Sequence, residues 1–186
     1  MASIVERMLR AARLDASLYE EVEADRSATG QATLVVLLAS IAGGIGAAGE
    51  FGSPGITGFL IGAVASLIGW YVWSLITYLV GTRLLPQPST QADIGQLLRT
   101  LGFASAPGLV RIFGIIPGIG PFAMAVGLIW TLIAMIVAVR QALDYDSTLR
   151  AVLVCLIGWV VQVLIILVPL TLLGIAIGTP GDQPAA

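Results

Sequence analysis

Four long stretches of this chain contain no charged residue: 23 positions between Arg26 and Glu50, 32 between Glu50 and Arg83, 28 between Arg111 and Arg140, and 31 between Arg150 and Asp182. A helix needs about 20 apolar residues to cross the hydrocarbon core of a bilayer. Each stretch is therefore long enough for one crossing. With 58% hydrophobic and 11% charged residues in 186, little sequence remains for a separate soluble domain. The expected fold class is all-α, a polytopic membrane helix bundle.

A further crossing follows from where the charges lie. All nine cations are arginines. Apart from Arg111 they stand at Arg7, Arg10, Arg13 and Arg26, at Arg83 and Arg99, and at Arg140 and Arg150, whereas residues 50–57, 117–121 and 179–186 carry none. The positive-inside rule assigns arginine-bearing segments to the cytoplasm. Two cytoplasmic linkers flanking residues 100–139 require an even number of crossings between them. Residues 101–116 must then cross too, although they are few and are interrupted by Pro107 and Gly108. The expectation is five transmembrane helices, at about 31–49, 58–82, 101–116, 119–139 and 151–177, the third short and broken. They form one transmembrane domain at 29–178, with the N-terminus cytoplasmic and a short tail, 179–186, outside.

Residues 1–28 read as a cytoplasmic amphipathic region rather than a cleaved signal. Ile4, Met8, Ala11, Leu14, Leu18 and Val22 recur at spacings of three and four and make one apolar stripe. Arg7, Arg10 and Arg13 are placed to face anionic headgroups. Ser17-Leu18-Tyr19-Glu20 fits a capping box, so a break near Asp15 divides the helix in two. The stripe fits either insertion into the membrane surface or packing on the bundle. A second amphipathic helix is expected at residues 91–100, started by Thr90-Gln91-Ala92-Asp93, with Ile94, Leu97, Leu98 and Leu101 on one face.

The residue inventory excludes much chemistry. There is no His and no Lys, and Cys155 is the single cysteine. His-ligated metal sites, Schiff bases, Ser-His and Ser-Lys dyads and an intrachain disulfide are therefore out of reach. A net charge of -2 argues against nucleic-acid binding, which needs a basic footprint. Gly44-Ile45-Gly46-Ala47-Ala48-Gly49 matches a dinucleotide-binding expression, but Phe51-Gly52-Ser53-Pro54-Gly55 follows where a helix should. No catalytic residue, cofactor or metal is expected.

Arg111 is the informative residue. An arginine facing lipid at mid-membrane costs about 2.5 kcal/mol or more, so it should turn into the bundle. Glu50, or carbonyls freed by Pro107 and Pro117, are the expected partners, and the role is a structural clamp or an anion or headgroup contact. Gln162, deep in the last run, should bond between helices. Gly44, Gly58, Gly62, Gly114 and Gly118 are candidate packing positions. Trp70, Tyr71 and Trp73 stand mid-span and are expected to pack internally.

Several motifs together resemble the Yip-one domain family, the Ypt/Rab-interacting membrane proteins. These are Leu101-Gly102-Phe103-Ala104-Ser105-Ala106-Pro107, Ile116-Pro117-Gly118-Ile119-Gly120, Gly127-Leu128-Ile129-Trp130 and Val139-Arg140-Gln141-Ala142-Leu143, with Leu18-Tyr19-Glu20-Glu21-Val22 upstream. The resemblance covers about residues 10 to 175. It implies five spans and, for eukaryotic relatives, binding of Rab GTPases and one another in membrane traffic. The family's Asp-Leu-Tyr-Gly-Pro signature and its long cytosolic N-terminal region are absent here, which argues against a Rab-type GTPase partner. The short tail, the lack of lysine and the fit to prokaryotic forms point to a bacterial or archaeal cytoplasmic membrane.

The function expected on these grounds is non-enzymatic: a membrane-organising, membrane-shaping or scaffold protein whose partners are the lipid bilayer and other membrane proteins in homo- or hetero-oligomers. Two alternatives stand beside it. One is a small transporter or channel using the broken third helix, Arg111 and Pro169. The other is a structural accessory subunit of a larger membrane complex.

Overall fold

The computed structural model describes residues 2–172, without the side chains of Glu50, Phe51, Ile166, Pro169, Leu170 and Leu172. The tail expected at 179–186 and the end of the last span lie outside the described residues. Seven α-helices follow one another: α1 (Ile4–Ala12), α2 (Ala16–Ala24), α3 (Thr29–Phe51), α4 (Gly55–Leu79), α5 (Ile94–Phe103), α6 (Gly120–Ala142) and α7 (Thr148–Leu172). A 3₁₀ turn (Arg26–Ala28) leads into α3, a π-helical segment (Val80–Leu84) extends α4, and a 3₁₀ stretch (Ala106–Ile115) follows α5. No β-strand occurs among the described residues.

Four helical stretches are long and apolar enough to cross a membrane: Arg26–Gly49, Gly55–Leu84, Gly120–Ala142 and Thr148–Ile165. They cover four of the five expected spans. The remaining one has no long helix. In its place α5 and the 3₁₀ stretch meet at a bend, and the bend has a sequence cause. Pro107 has no N–H to donate, and the turn at Ala104–Ser105 is closed by short-range bonds, Ser105 N to Gly102 O and Gly108 N to Ser105 O.

This broken segment packs closely against α3. A Cβ on Gly102 would stand 2.7 Å from Ala32 Cβ, and a Cβ on Gly49 would stand 2.8 Å from Ile115 Cα. Residues 102–115 thus run alongside α3 from Ala32 to Gly49, about 26 Å at 1.5 Å per residue. An α-helix of that length would fall short. The 3₁₀ rise of about 2.0 Å per residue lets the short segment reach. The segment runs parallel to α3 and antiparallel to α6, where Gly114 meets Gly120 and Arg111 meets Gly127.

The expectation of a surface helix at 91–100 is corrected. The helix is α5, capped by Asp93 in a reciprocal box with Gln96 rather than begun at Thr90. Leu97, Arg99, Thr100, Leu101, Gly102 and Phe103 are all buried. Its apolar residues meet α2, α3 and α4 from different sides, so burial all round replaces one apolar stripe.

The N-terminal region does break at Asp15, but the cap differs from the expected one. Asp15 accepts from the Ser17 backbone at 3.0 Å and caps α2, so Ser17 lies inside the helix. The resulting α1–α2 hairpin lies against α3, α5, the 3₁₀ stretch and α6. Ala11, Leu18 and Val22 are fully buried with Ala32, Val35, Phe103 and Ala106. Packing on the bundle is the outcome for this face. The other face of α1 is bare: Val5 is 61% and Leu9 54% exposed.

Beyond the π segment the loop from α6 to α7 closes back on α4. The i to i+5 bond from Leu85 N to Val80 O marks the π turn. There the Tyr145 hydroxyl lies 2.7 Å from Leu85 O and 3.0 Å from Gly81 O. Arg140 donates to the carbonyls of Tyr145 and Asp146 at 3.2 Å each and ties down the same loop.

Candidate functional site

The outer surface of α3, α4, α6 and α7 is largely exposed leucine, isoleucine, valine and phenylalanine, Ile56, Leu60, Val64, Phe122, Leu128 and Leu164 among them. Such a belt is stable only against lipid or protein. Inside it two polar arrangements stand out, one at the hairpin and one in the middle of the bundle.

At the hairpin, Arg7 is 4% exposed although it carries a charge. It is held by Glu21 at 2.9 Å, Asp25 at 2.8 Å and Gln31 at 3.1 Å. Arg10 pairs with Asp15 at 2.8 Å and with Glu21. These two arginines do not face anionic headgroups; their charges are instead matched within the hairpin by Glu21, Asp25 and Asp15. Only Arg13 of the three is exposed with no ion pair among the described residues. The Arg10 bond, with Ser17, holds the Asp15 carboxyl down at about 2, and Ser27 with Arg7 does the same for Asp25. Burial beside Asp144 pushes Glu23 the other way, up to about 7. Nearby, Arg99 donates to the carbonyls of Val22, at 2.8 Å, and Glu23. A cation thus closes the C-terminal end of α2.

In the middle of the bundle, Arg111 projects from the 3₁₀ stretch between α3 and α6. Its Nε donates to Gly108 O at 3.0 Å and its Nη2 to Ala39 O at 3.2 Å. Ala39 and Glu50 are eleven residues apart on α3, about 16 Å of helix, so the guanidinium is directed toward the start of α3; the Glu50 side chain itself lies outside the described residues. Glycines make room for the arginine. A Cβ on Gly127 would lie 2.4 Å from its Cγ, and one on Gly46 only 1.9 Å from its carbonyl oxygen.

Arg111 borders a cavity of about 900 Å³ shared by α3, α4, the broken segment, α6 and α7. Trp70, Trp73 and Trp159, Met124 and Met135, and several leucines and valines form most of its wall, with Ser40, Ser66, Ser105, Thr131 and Gln162 as the polar positions. Trp73 Nε1, Thr131 Oγ1 and Gln162 Oε1 are buried without a hydrogen-bond partner. Trp70 Nε1, by contrast, donates to Leu98 O at 3.1 Å. Tyr71 is a correction to the expected internal cluster, being 51% exposed on the outer face of α4.

The remaining sequence candidates are scattered. Pro107 is buried at the start of the 3₁₀ stretch and Pro117 is exposed in the turn after it. Gly118 in that turn has φ +86°, a conformation that favours glycine. Gly44 faces Phe59 of α4 and Gly114 faces Gly46, both too closely for a Cβ. A Cβ on Gly58 would meet Pro54 in the preceding loop, and one on Gly62 would meet nothing within 4 Å. Trp73 and Thr131 were not singled out by the sequence as site residues. Nothing in a single sequence distinguishes a buried indole with a partner from one without.

Among the described residues no cluster of His, Cys, Asp and Glu side chains is placed to hold a metal ion. No curated protein and no solved structure matches the chain. The family model of the Yip1 domain matches residues 16–170, a span that takes in α2, the broken segment with Arg111 and every helix that borders the cavity. That match runs through most of the 186 residues, and the chain belongs to the Yip1 domain family of membrane proteins.

Proposed function

We propose that this protein is a non-enzymatic membrane-organising protein that crosses the bilayer five times, N-terminus inside and C-terminus outside, in a cytoplasmic membrane. The alternating directions of α3, α4, the broken segment, α6 and α7 support the count. The part of the broken segment that runs beside α3 covers about 26 Å, close to the roughly 30 Å of hydrocarbon.

One observation carries the shaping role. The α1–α2 hairpin packs by its buried face along the C-terminal half of α6, from Trp130, whose Nε1 donates to Ala12 O, to Ala142, which clusters with Tyr19, while Val5 and Leu9 stay bare on the far side of α1. A hairpin at that depth adds cross-section to the cytoplasmic leaflet and none to the other. That asymmetry is a wedge.

Purified protein is expected to bind small vesicles in preference to large ones, or to tubulate the large ones. Val5→Asp with Leu9→Asp should remove the preference while leaving the bundle folded. Equal binding to vesicles of all sizes overturns the shaping role.

The cavity beside Arg111 favours a second reading, passage of a small solute past the discontinuous third segment. Flux into proteoliposomes that stops on Arg111→Ala would establish it. An accessory subunit of a larger complex, or an oligomer, would show itself as co-purification at a fixed ratio.

A further inference from the structure

We infer that the cavity at the centre of the bundle is a binding site for an amphiphile, an acyl chain ending in an oxyanion, entering sideways from the bilayer with its acidic end at Arg111. The inference rests on the bundle lying in a membrane and is independent of the shaping role of the hairpin.

Three features of the cavity converge. The first is its size, about 900 Å³, which is in the range of sites that enclose small ligands and far above the residual voids of a packed interior. The second is its wall. Leu128 and Leu132 of α6 and Leu156 and Trp159 of α7 line the cavity and are also exposed on the outer belt. The opening between these two helices therefore faces the hydrocarbon, the phase from which an acyl chain would come.

The third is the set of unused polar groups. A guanidinium carries five N–H donors, and Arg111 commits two of them, to Gly108 O and Ala39 O. The other three have no acceptor among the described residues. The Thr131 hydroxyl lies beside the guanidinium, since a Cβ on Gly108 would meet Arg111 Nη2 at 2.8 Å and Thr131 Oγ1 at 3.2 Å, and it is likewise unpartnered. A guanidinium in a membrane is costly unless its charge is matched, and a buried polar group without a partner adds to that cost. A carboxylate or phosphate there would match the charge and accept from the guanidinium and the hydroxyl together. A neutral chain of the same length would leave them as they are.

Three of the protein's four tryptophans, Trp70, Trp73 and Trp159, line the cavity, so a brominated ligand inside it would quench the intrinsic fluorescence. The experiment titrates the purified full chain in lipid nanodiscs with dibromostearate and with its methyl ester. A second series uses nanodiscs containing a dibrominated anionic phospholipid or its zwitterionic counterpart. Saturable quenching by the acid at a concentration at least about tenfold below that of the ester is expected, since one charged hydrogen bond is worth that much. Preference for the fatty acid or for the anionic phospholipid tells which source supplies the oxyanion.

Gly69→Leu should abolish the saturable component, because a Cβ at Gly69 meets open space at the cavity wall and the larger side chain fills it. Arg111→Gln should equalise acid and ester. Should Arg111→Gln fail to fold, Thr131→Val, which removes only a hydroxyl, should narrow the difference. Equal quenching by acid and ester in the unmodified protein overturns the inference, and so does saturable quenching that survives Gly69→Leu. Gly69→Leu leaves Val5 and Leu9 untouched, so a failure here and a failure of the vesicle-size experiment are separate results.

Discussion

Trp130 and Ala12 are 118 positions apart in the chain, yet the indole Nε1 of Trp130, midway along α6, donates to the Ala12 carbonyl at 2.8 Å. Ala12 closes α1, whose last carbonyls have no partner within the helix. The tryptophan satisfies one of them and sets how deep the N-terminal hairpin sits. Trp130→Phe keeps the ring and deletes the donor. We expect faster hydrogen exchange and proteolysis confined to residues 4–24, with the protection of α3 and α6 unchanged; a uniform loss across the bundle would mean that the contact does more than hold the hairpin.

Arg7 makes the hairpin's other fixed point, a buried charge shared by Glu21, Asp25 and Gln31. Removing a cation from such a set leaves carboxylates without their partner. Arg7→Met should lower unfolding stability by about 2–3 kcal/mol, read from the thermal midpoint in detergent. Arg13→Met, at an exposed position, should change it by less than about 0.5 kcal/mol.

The carboxylates of this region predict a pH profile with two limbs. Asp15 and Asp25 titrate near 2 in the folded protein against an ordinary 3.8. Their contribution is therefore present above 3.8 and is lost as pH falls toward 2. Glu23 is raised from 4.5 to about 7 by burial and by Asp144, so its protonated form suits the fold. Stability from that group is complete below 4.5 and declines as pH rises through 7. The thermal midpoint should peak on the mildly acidic side, and Glu23→Gln should flatten the decline between 4.5 and 7. A midpoint of Glu23→Gln that falls in parallel with the unmodified protein would contradict this account.

Tyr145 ties the α6–α7 loop to the π segment through Leu85 O and Gly81 O, and burial raises the pKa of its hydroxyl. Tyr145→Phe should cost about 1 kcal/mol. Substituting Gly81 is worse. A Cβ there would come within 2.4 Å of Leu143 Cδ1, so Gly81→Val is expected to cost more than Tyr145→Phe in the same melting experiment.

Close approach also governs Gly46, where a Cβ would lie 1.9 Å from the Arg111 carbonyl oxygen, a backbone atom that cannot swing away. Gly46→Ala should push the broken segment off α3 and reduce the yield of folded protein. Gly62→Ala, facing open space, should be neutral or slightly stabilising through helix propensity. Equal yields from the two variants would show that the segment does not seat against α3 as described.

Local chemistry decided the elements, and local chemistry is what a sequence displays. Uncharged runs longer than a bilayer is thick determined α3, α4, α6 and α7; Pro107 with Gly108 determined that the stretch between them breaks; Asp15 and Asp93 determined where α2 and α5 start. Tertiary structure decided which of several possible partners each face and each charge took. The stripe through Ala11, Leu18 and Val22 suits a membrane surface as well as a bundle, and only the groove between α3, α5 and α6 selects the bundle and turns Val5 and Leu9 outward. Arg7 has acids in reach because α2 folds back beside α1. Arg111 finds Ala39 because the 3₁₀ rise carries it to that depth, and the cavity next to it is a gap left between five elements. A gap has no residue of its own to be read in the chain.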